Sequence, residues 1–375
     1  MKESTLISVI MATYNHADFV KQAIESVLSQ QGVDFEFLIT DDGSVDQTRD
    51  VVAAIKDKRI QFFPNEKNRG ACIVTNELIE RCSGEFIALI NSDDYWLGKD
   101  KLAYQVQIMR DNPNVGACFG QVRYIDKDGC DIEKSSHHHG HIFEQKNRPK
   151  SAWLRHFFDL GNCICHPTIL IRKKCYEMVG MYDTRLRQLP DFDMWVRLLK
   201  VYDIYVSDRD MIAFRHLPGE NASSSTPANS RRLLNEFYFI LDNFFDGMSQ
   251  DLLIEGFNDL LHINNPPDDL HMDIEQALLF FGENRWSSHI YNLIGLKKIH
   301  FLLGSPKHRQ ILINHYEIDD RVFYSMAEEA GAFDLISPTN ILSRVKTLSL
   351  IAEIKQRSLK HVPSFLRPIL SIILK

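Results

Sequence analysis

The chain has 375 residues, 44% of them hydrophobic, which suits one large α/β domain with a smaller second domain and excludes a disordered or fibrous protein. Its 43 basic and 50 acidic residues give a net charge of -7, which argues against nucleic-acid binding because such proteins need a basic face. The seven scattered cysteines lack the spacing of a zinc site, so we expect reduced thiols in a cytosolic protein.

The first half of the chain has the pattern of a mostly parallel sheet flanked by helices. Short apolar runs at 6–11, 35–40, 60–63 and 86–90 alternate with segments of helical period. Asp18 is a candidate N-cap of the first helix, and Ser44 and Asp46 are candidate caps of the second. Three strand-to-helix units are therefore predicted before Asn91.

Polar side chains follow three of these strands, at the edge of the sheet where ligands bind in open α/β folds. They are Thr13, Tyr14 and Asn15 after the first strand, Asp41 and Asp42 after the second, and Asn91, Asp93 and Asp94 after the fourth. Three loops from one edge of the sheet can build one pocket.

The second half begins with a Ser-, Asn- and Pro-rich segment that is typical of a linker. We predict a catalytic domain over 1–220, a linker over 221–230 and a helical domain over 231–375. Helical periodicity without strand signals recurs at 231–245, 252–261, 274–281, 290–303 and 343–360.

The end of the chain, 357–375, mixes Lys and Arg with apolar residues. It suits either peripheral membrane contact or a last helix packed on its own domain, and Pro363 and Pro368 favour the packed helix. The N-terminal apolar run is too short for a signal peptide or a membrane span. We expect a cytoplasmic protein, at the inner face of the membrane if its C-terminus binds there.

The adjacent carboxylates Asp93 and Asp94 repel each other unless a cation or solvent intervenes. Mn²⁺ or Mg²⁺ suits them, because these ions are held by one or two carboxylates together with phosphate oxygens. The alternative is a turn in which one Asp caps the next helix. Asp42 suits hydrogen bonds to a nucleoside or simple turn chemistry, and Tyr14 suits stacking on a base or ordinary packing.

In combination, these features resemble the family 2 glycosyltransferases of the glycosyltransferase A fold, over about residues 6 to 217. The matching blocks are SVIMATYNHADFVKQAIESVLSQ, LITDDGSVDQT, NRGACIVTNELIERCSGEFIALINSDDYW, HPTILIRKKCYEMVGMYD and LPDFDMWVRLL. The resemblance implies that the nucleotide sugar is bound by Ala12, Thr13, Tyr14, Asn15, Asp41, Asp42, Arg69, Asn91 and Asp93. It also implies that Asp93 contacts the ribose or the metal and that Asp94 is the principal ligand of Mn²⁺ or Mg²⁺.

The same resemblance makes Asp191 the general base, although Pro190 stands where many relatives have a second acid. Asp193 is predicted instead to cap or to pair with Arg197. His216 is predicted to touch the diphosphate or the metal, with an ordinary loop histidine as the alternative. His166 is a candidate for lining the acceptor pocket.

Two other sets of residues attract attention for their chemistry. The run of His137, His138, His139 and His141 has the composition of a metal site, but its loop-like flanks favour a solvated loop. Trp153 and Trp195 are able to stack on sugars, but helical spacing places Trp195 in the core.

The expected function is inverting transfer of a sugar from a nucleotide diphosphate, with uridine as the expected base, to a hydroxyl of a glycan or glycolipid in cell-surface polysaccharide synthesis. One rival is a nucleotidyltransferase, which is disfavoured because MATYNHAD lacks the Gly-rich basic loop that grips a triphosphate. Another is a non-catalytic module that binds a nucleotide sugar or a partner protein. The sequence makes no prediction of the oligomeric state.

Overall fold

The computed structural model describes residues 6–137, 139–219, 221, 224, 226–282 and 287–330. Its sheet has eight strands in the order β3-β2-β1-β4-β7-β6-β8-β5. They are β1 (Leu6–Thr13), β2 (Asp34–Asp41), β3 (Ile60–Pro64), β4 (Phe86–Leu89), β5 (Tyr95–Trp96), β6 (Val115–Ile125), β7 (Leu170–Arg172) and β8 (Asp203–Arg215). The four strands predicted from the sequence are confirmed.

The sheet is mixed. β3, β2, β1 and β4 pair in parallel, as do β6 and β8. β7 lies antiparallel between β4 and β6, and β5 is antiparallel to β8. Alternate residues of the parallel strands enter two different cores: Ile7 and Val9 pack with one cluster and Ile10 with the other. Because side chains alternate along a strand, such continuous apolar runs are typical of a strand that is covered on both faces.

Seven helices flank the sheet: α1 (Val20–Leu28), α2 (Thr48–Ala54), α3 (Ala71–Arg81), α4 (Lys101–Asp111), α5 (Lys150–Leu160), α6 (Lys173–Val179) and α7 (Pro190–Leu199). The prediction that Asp18 caps α1 is wrong, since Phe19 occupies the cap position without a side-chain hydrogen bond. The prediction that Ser44 or Asp46 is the N-cap of α2 is also wrong, since Gln47 occupies that position without a side-chain hydrogen bond, although Asp46 accepts the Thr48 N–H at 2.9 Å.

The described part of the C-terminal half is helical, as predicted. It contains α8 (Pro227–Asp242), α9 (Gln250–Phe257), α10 (Asp269–Leu278), α11 (Ser288–Leu303), α12 (Pro306–Tyr316) and α13 (Asp320–Glu329). The segments predicted at 343–360 and 357–375 lie outside the described residues. In the described ranges, every helix is too short or too polar to cross a bilayer.

One apolar core runs through both halves of the chain. Phe192 and Trp195 of α7 belong to the same cluster as Phe237 of α8 and Tyr291 of α11, while a smaller cluster joins α10 to α13. The predicted linker at 221–230 already contains the start of α8 at Pro227. The domain boundaries stay predictions, but the largest apolar cluster of the described residues contains side chains from both halves of the chain.

Candidate active site

The loops after β1 and β2 form one structural unit. The register pairs Thr13 with Asp41, and the Asp42 N–H donates to the Thr13 carbonyl at 2.8 Å. Asn15 adopts a left-handed conformation, its N–H donates to Ser44 Oγ at 2.9 Å, and its Oδ1 accepts the Val45 N–H at 2.9 Å. Polar groups predicted to bind a nucleotide sugar therefore do converge at one edge of the sheet.

Several residues predicted to bind the nucleoside differ in how open they are. The Tyr14 side chain is 42% exposed, which leaves its ring face available. Ala12 is half-buried against the core, whereas Asp41 is buried and its Oδ2 accepts hydrogen bonds from the Ser44 N–H and Arg49 Nε. Tyr14 is therefore the best placed of these side chains to meet a base.

Asp42 holds the segment that leads into α3. Its Oδ1 accepts from the Asn65 amide at 3.0 Å and from the Arg69 N–H at 2.9 Å, and its Oδ2 accepts from the Gly70 N–H at 2.9 Å. This carboxylate thus binds the backbone of Arg69, another predicted site residue. A nucleoside contact by Asp42 stays a prediction.

The turn after β4 presents the two adjacent acids in different environments. Asp94 is buried, with Oδ1 accepting the Arg215 N–H at 2.8 Å and Oδ2 accepting from the Asn91 amide at 3.2 Å. Burial and the neighbouring Asp93 carboxylate hold the pKa of Asp94 well above its usual range. Asp93 is also buried, at 9% exposed, and its Oδ2 accepts one hydrogen bond, from the Asn221 amide at 3.1 Å.

Arg215, at the end of β8, holds this turn in place and was missed by sequence reasoning. Its Nε donates to the Asp93 carbonyl at 2.8 Å, and its Nη1 donates to the carbonyls of Asp126 and Lys127. His16 was also missed, and its Nδ1 lies 2.7 Å from the Ser92 Oγ within the same turn. Arg215 stands outside the matching blocks, whereas His16 lies within the first of them but was not singled out as a site residue.

The two acids would suit a divalent cation that also binds phosphate oxygens. Among the described residues, no three His, Cys, Asp or Glu side chains converge on a preformed metal cage. Mg²⁺ and Mn²⁺ do not need one, because one or two carboxylates with phosphate oxygens and waters complete their shell. Asp93 has one oxygen that accepts none of the hydrogen bonds described above. Each Asp94 oxygen already accepts a hydrogen bond, so only its remaining lone pairs are available to a cation.

His216 lies next to the histidine run. Its N–H donates to the Ile125 carbonyl, and its ring centroid lies 4.6 Å from that of His137. His137 is only 5% exposed and stacks on Tyr124 at 3.9 Å, so the prediction of a solvated loop is wrong for this residue. The prediction of a solvated loop holds for His141, which is exposed and pairs with Glu144. His138 lies outside the described residues. A contact of His216 with the diphosphate stays a prediction.

Asp191 lies in the first turn of α7 and is held in a defined orientation. Its Oδ2 accepts from the Asn162 amide at 2.9 Å, and its Oδ1 accepts the Phe192 N–H at 2.8 Å. The Asn162 Oδ1 accepts the Ile164 N–H, which fixes the direction of the amide. Burial raises the pKa of Asp191 to about 6. Asp193 pairs with Arg197 at 2.7 Å, as predicted.

Contacts through α3 bring the loop before Asp191 close to the segment before α3 that Asp42 binds. The Asn76 side chain exchanges two hydrogen bonds with the backbone of Tyr182, at 2.8 and 3.1 Å, and Cys72 Sγ donates to the Leu186 carbonyl. Burial, followed by the charges of Asp94 and Asp191, raises the pKa of the Cys165 thiol. One buried thiol therefore lies within electrostatic reach of both carboxylates.

Of the remaining residues named from the sequence, His166 is half-buried and the two tryptophans lie in the interior. His166 Nε2 is 2.8 Å from the Tyr182 hydroxyl, and burial lowers the pKa of this histidine to about 4, which keeps it neutral at physiological pH. Trp195 is fully buried, as its helical spacing predicted, and Trp153 is fully buried as well. All seven cysteines are free thiols.

Comparisons with protein-family models and with known proteins agree on glycosyltransferases. The family model described as "Glycosyl transferase family 2" matches residues 8–178. An uncharacterized glycosyltransferase of Methanocaldococcus jannaschii is 29% identical over 52% of this chain and 66% of its own length. TuaG of Bacillus subtilis, provisionally assigned as a teichuronic acid biosynthesis glycosyltransferase, is 32% identical over 52% of this chain and 72% of its own length. The chain thus spans just under two thirds of the first relative and somewhat more of the second.

Two solved structures share the fold. TarS of S. aureus in complex with UDP-GlcNAc aligns with a TM-score of 0.55 and 18% identity, over 87% of this chain and 89% of its own. The mannosyltransferase PcManGT of Pyrobaculum calidifontis, in complex with GDP-Man and Mn²⁺, aligns with a TM-score of 0.51 and 16% identity, over 88% of both chains.

Proposed function

This chain belongs to glycosyl transferase family 2, and from that membership we propose that it is an inverting, metal-dependent glycosyltransferase. It moves a sugar from a nucleotide diphosphate, best a UDP-sugar, to a hydroxyl of a glycan or glycolipid. The observation that supports this most is the pairing of an acidic turn at Asp93 and Asp94 with an oriented carboxylate at Asp191, both within electrostatic reach of Cys165.

Asp191 acts as the general base. An acceptor hydroxyl is a weak nucleophile until a positioned carboxylate takes its proton as the new bond forms. The acceptor oxygen then bonds to the anomeric carbon from the face opposite the diphosphate, whose bond to that carbon breaks and whose oxygen keeps the electron pair. One direct displacement inverts the configuration of the sugar.

Asp93 and Asp94 would hold Mn²⁺ or Mg²⁺, with Asp93 as the more direct ligand. When bound, the ion supplies positive charge against the leaving diphosphate. Asp94 accepts the Arg215 N–H and so ties this turn to the end of β8. His216 is proposed to reach the diphosphate side of the site.

The nucleoside is proposed to bind across the loops after β1 and β2. Tyr14 offers an exposed ring for stacking. The remaining contacts assigned to the nucleotide sugar are Ala12, Thr13, Asn15, Asp41, Asp42, Arg69 and Asn91. UDP-GlcNAc in the TarS structure supports a uridine donor, and GDP-Man in the PcManGT structure makes guanosine the alternative to test.

Cell-surface polysaccharide is the proposed destination of the sugar, on the strength of the relative assigned to teichuronic acid biosynthesis. A cytoplasmic location, with contact between the C-terminus and the membrane, is part of the same proposal. The residues that would make this contact lie beyond residue 330 and outside the described part of the chain.

A thermal-shift panel with UDP-glucose, UDP-GlcNAc and GDP-mannose, each with and without Mn²⁺, tests the donor class. A ligand at 100 times its Kd stabilises the fold by about 2.7 kcal/mol, so a true donor should raise the Tm, and more so with Mn²⁺. Proton NMR of the product then reads the anomeric configuration. The proposal fails if no nucleotide sugar raises the Tm, and the inverting mechanism fails if the product retains the donor configuration.

A further inference from the structure

Glu236, in α8, is a buried carboxylate that binds the loop immediately before Asp191. Its side chain is 4% exposed. Oε1 accepts the N–H of Arg187 at 2.9 Å, and Oε2 accepts the N–H groups of Gln188 and Leu189 at 2.7 and 2.9 Å. Leu189 is the residue before the first turn of α7, in which Asp191 lies.

The chemistry of this contact makes it specific for a carboxylate. The three consecutive N–H groups at 187–189 lie just before α7 and together present a positive potential. An anion with two oxygens accepts hydrogen bonds from all three. Pro190 has no N–H of its own, so this loop depends on its preceding amides for anchorage. An amide side chain would offer one acceptor oxygen and one unwanted donor to the same three N–H groups.

The residue next to Glu236 reaches the other side of Asp191. The Phe237 ring stacks on the Phe192 ring with a centroid distance of 6.0 Å and an interplanar angle of 21°. Two neighbouring residues of α8 thus hold the residues on both sides of Asp191. Phe158, near the end of α5 and ahead of Asn162, packs its ring against Phe244, which follows α8, and against Tyr291 of α11.

We propose that Glu236 is a positioning residue for the reaction and that the C-terminal helices complete the active site by holding Asp191 in place. The inference rests on the proposed function of Asp191 as general base. Glu236 is not assigned a contact with substrate. Its effect passes through the backbone of 187–189.

Glu275 offers a matched control within the same helical region. It is buried, and it accepts the N–H groups of His262 and Ile263 at 2.9 and 2.8 Å and the Tyr316 hydroxyl at 2.9 Å. Its hydrogen bonds match those of Glu236 in number, and two of the three come from backbone N–H groups; the His262 Nδ1 also lies 3.7 Å from its Oε2. They anchor the backbone at 262–263, away from α7.

The experiment compares Glu236→Gln with Glu275→Gln in the full chain. UDP release from UDP-glucose and UDP-GlcNAc is measured with Mn²⁺ across pH, along with the Kd for UDP and amide hydrogen exchange of a peptide covering 186–192. Both variants should lower the Tm. Only Glu236→Gln should lower turnover at least tenfold with a UDP Kd within twofold, and accelerate exchange at 187–189 at least tenfold.

The pH profile adds a measurement that a general loss of stability would not change. Burial is the main cause of the raised Asp191 pKa, and the negative charge of Glu236 raises it further. Removal of the Glu236 charge should therefore shift the pH midpoint of turnover to lower pH. If Glu236→Gln is insoluble, Glu236→Asp keeps the charge on a shorter side chain and should show a smaller loss of turnover in the same direction.

Equal turnover in the two Gln variants, or unchanged exchange at 187–189, would overturn the inference. Failure of the proposed function looks different: the wild-type chain would release no UDP, or Asp191→Asn would be as active as wild type. That result removes the catalytic part of the inference, while the exchange data still decide whether Glu236 anchors the loop.

Discussion

Asp191 combines the two properties that a general base needs at neutral pH. Burial disfavours its charged form and raises its pKa to about 6, while the Phe192 N–H and the Asn162 amide favour the carboxylate and limit the rise. A pKa just below the working pH leaves the group ionised and still basic. Its orientation is fixed by hydrogen bonds to both oxygens.

The pH dependence of turnover should follow the ionisation of Asp191. The active form is the carboxylate, so kcat/KM should fall about tenfold per pH unit below pH 6 and level off above pH 7. Asn162→Ala removes a donor to the carboxylate and should move the midpoint to higher pH. The measurement is a pH profile of UDP release from pH 4.5 to 8, and a flat profile in both proteins would contradict the assignment.

Asp93 and Asp94 should respond differently to truncation. Asp94→Ala leaves the buried Arg215 N–H and the Asn91 amide without their acceptor, so it should cost about 1–3 kcal/mol of folding free energy. Asp93→Ala removes a carboxylate that accepts one hydrogen bond, from the Asn221 amide, and should cost less stability. It should instead abolish the gain in UDP affinity that Mn²⁺ gives.

Chemical unfolding and calorimetric titration of UDP with and without Mn²⁺ measure the two effects. If Asp93→Ala keeps the full metal-dependent gain while a folded Asp94→Ala loses it, then Asp94 is the principal ligand, as the resemblance implied.

At the residue scale, the sequence revealed acids but not their partners. Asp93, Asp94 and Asp191 stand in recognisable blocks, so a single sequence is enough to find them. Arg215 and Glu236 act through backbone groups that lie far away along the chain, and their partners exist only once the fold has formed. Ordinary residue types in such contacts leave no local pattern.

At the scale of elements, the first three strand-to-helix units were predictable because their apolar runs are continuous. The later strands were not. β7 has only three residues, and the pairing of β6 with β8 contains register shifts near Gln121, where polar residues interrupt the apolar pattern. Antiparallel placement of β7 between β4 and β6 depends on long-range pairing that periodicity does not carry.

Gly43 joins the loop after β2 to the segment before α3. It has a φ of 75°, and a Cβ at this position would lie 2.6 and 2.7 Å from the backbone of Lys67 and Asn68. Gly43→Ala should therefore cost backbone strain and also push apart the loops that Asp42 holds together. We expect a loss of stability about 2 kcal/mol larger than for Gly129→Ala, and weaker UDP binding.

Gly129→Ala is the control for conformational strain alone. Gly129 has a φ of 87° with no atom within 4 Å of the added Cβ, so only the cost of the left-handed conformation remains. Denaturant unfolding of both variants measures the difference. Equal losses would show that the close approach of the two loops is unimportant.

At the scale of the whole molecule, the two halves of the chain are coupled through one core. The sequence predicted a separate helical domain because composition changes sharply near residue 220. The sequence did not predict that one apolar cluster would contain Phe192, Phe237 and Tyr291. Helical periodicity shows which face of a helix is apolar but not which element covers that face. Even the predicted linker reaches the acidic turn, through the hydrogen bond from Asn221 to Asp93.

The central claim is that Asp191 and the turn at Asp93 and Asp94 serve one transfer reaction. The most direct test is Asp191→Asn, measured for sugar transfer or UDP release and for UDP affinity with Mn²⁺. Asp193→Asn is the control on the same helix, since it alters only the ion pair with Arg197.

We predict a loss of turnover of about 10²- to 10⁴-fold for Asp191→Asn with a UDP Kd within twofold of wild type, and near-normal turnover for Asp193→Asn. Weakened UDP binding together with substantial residual turnover in Asp191→Asn would contradict the account.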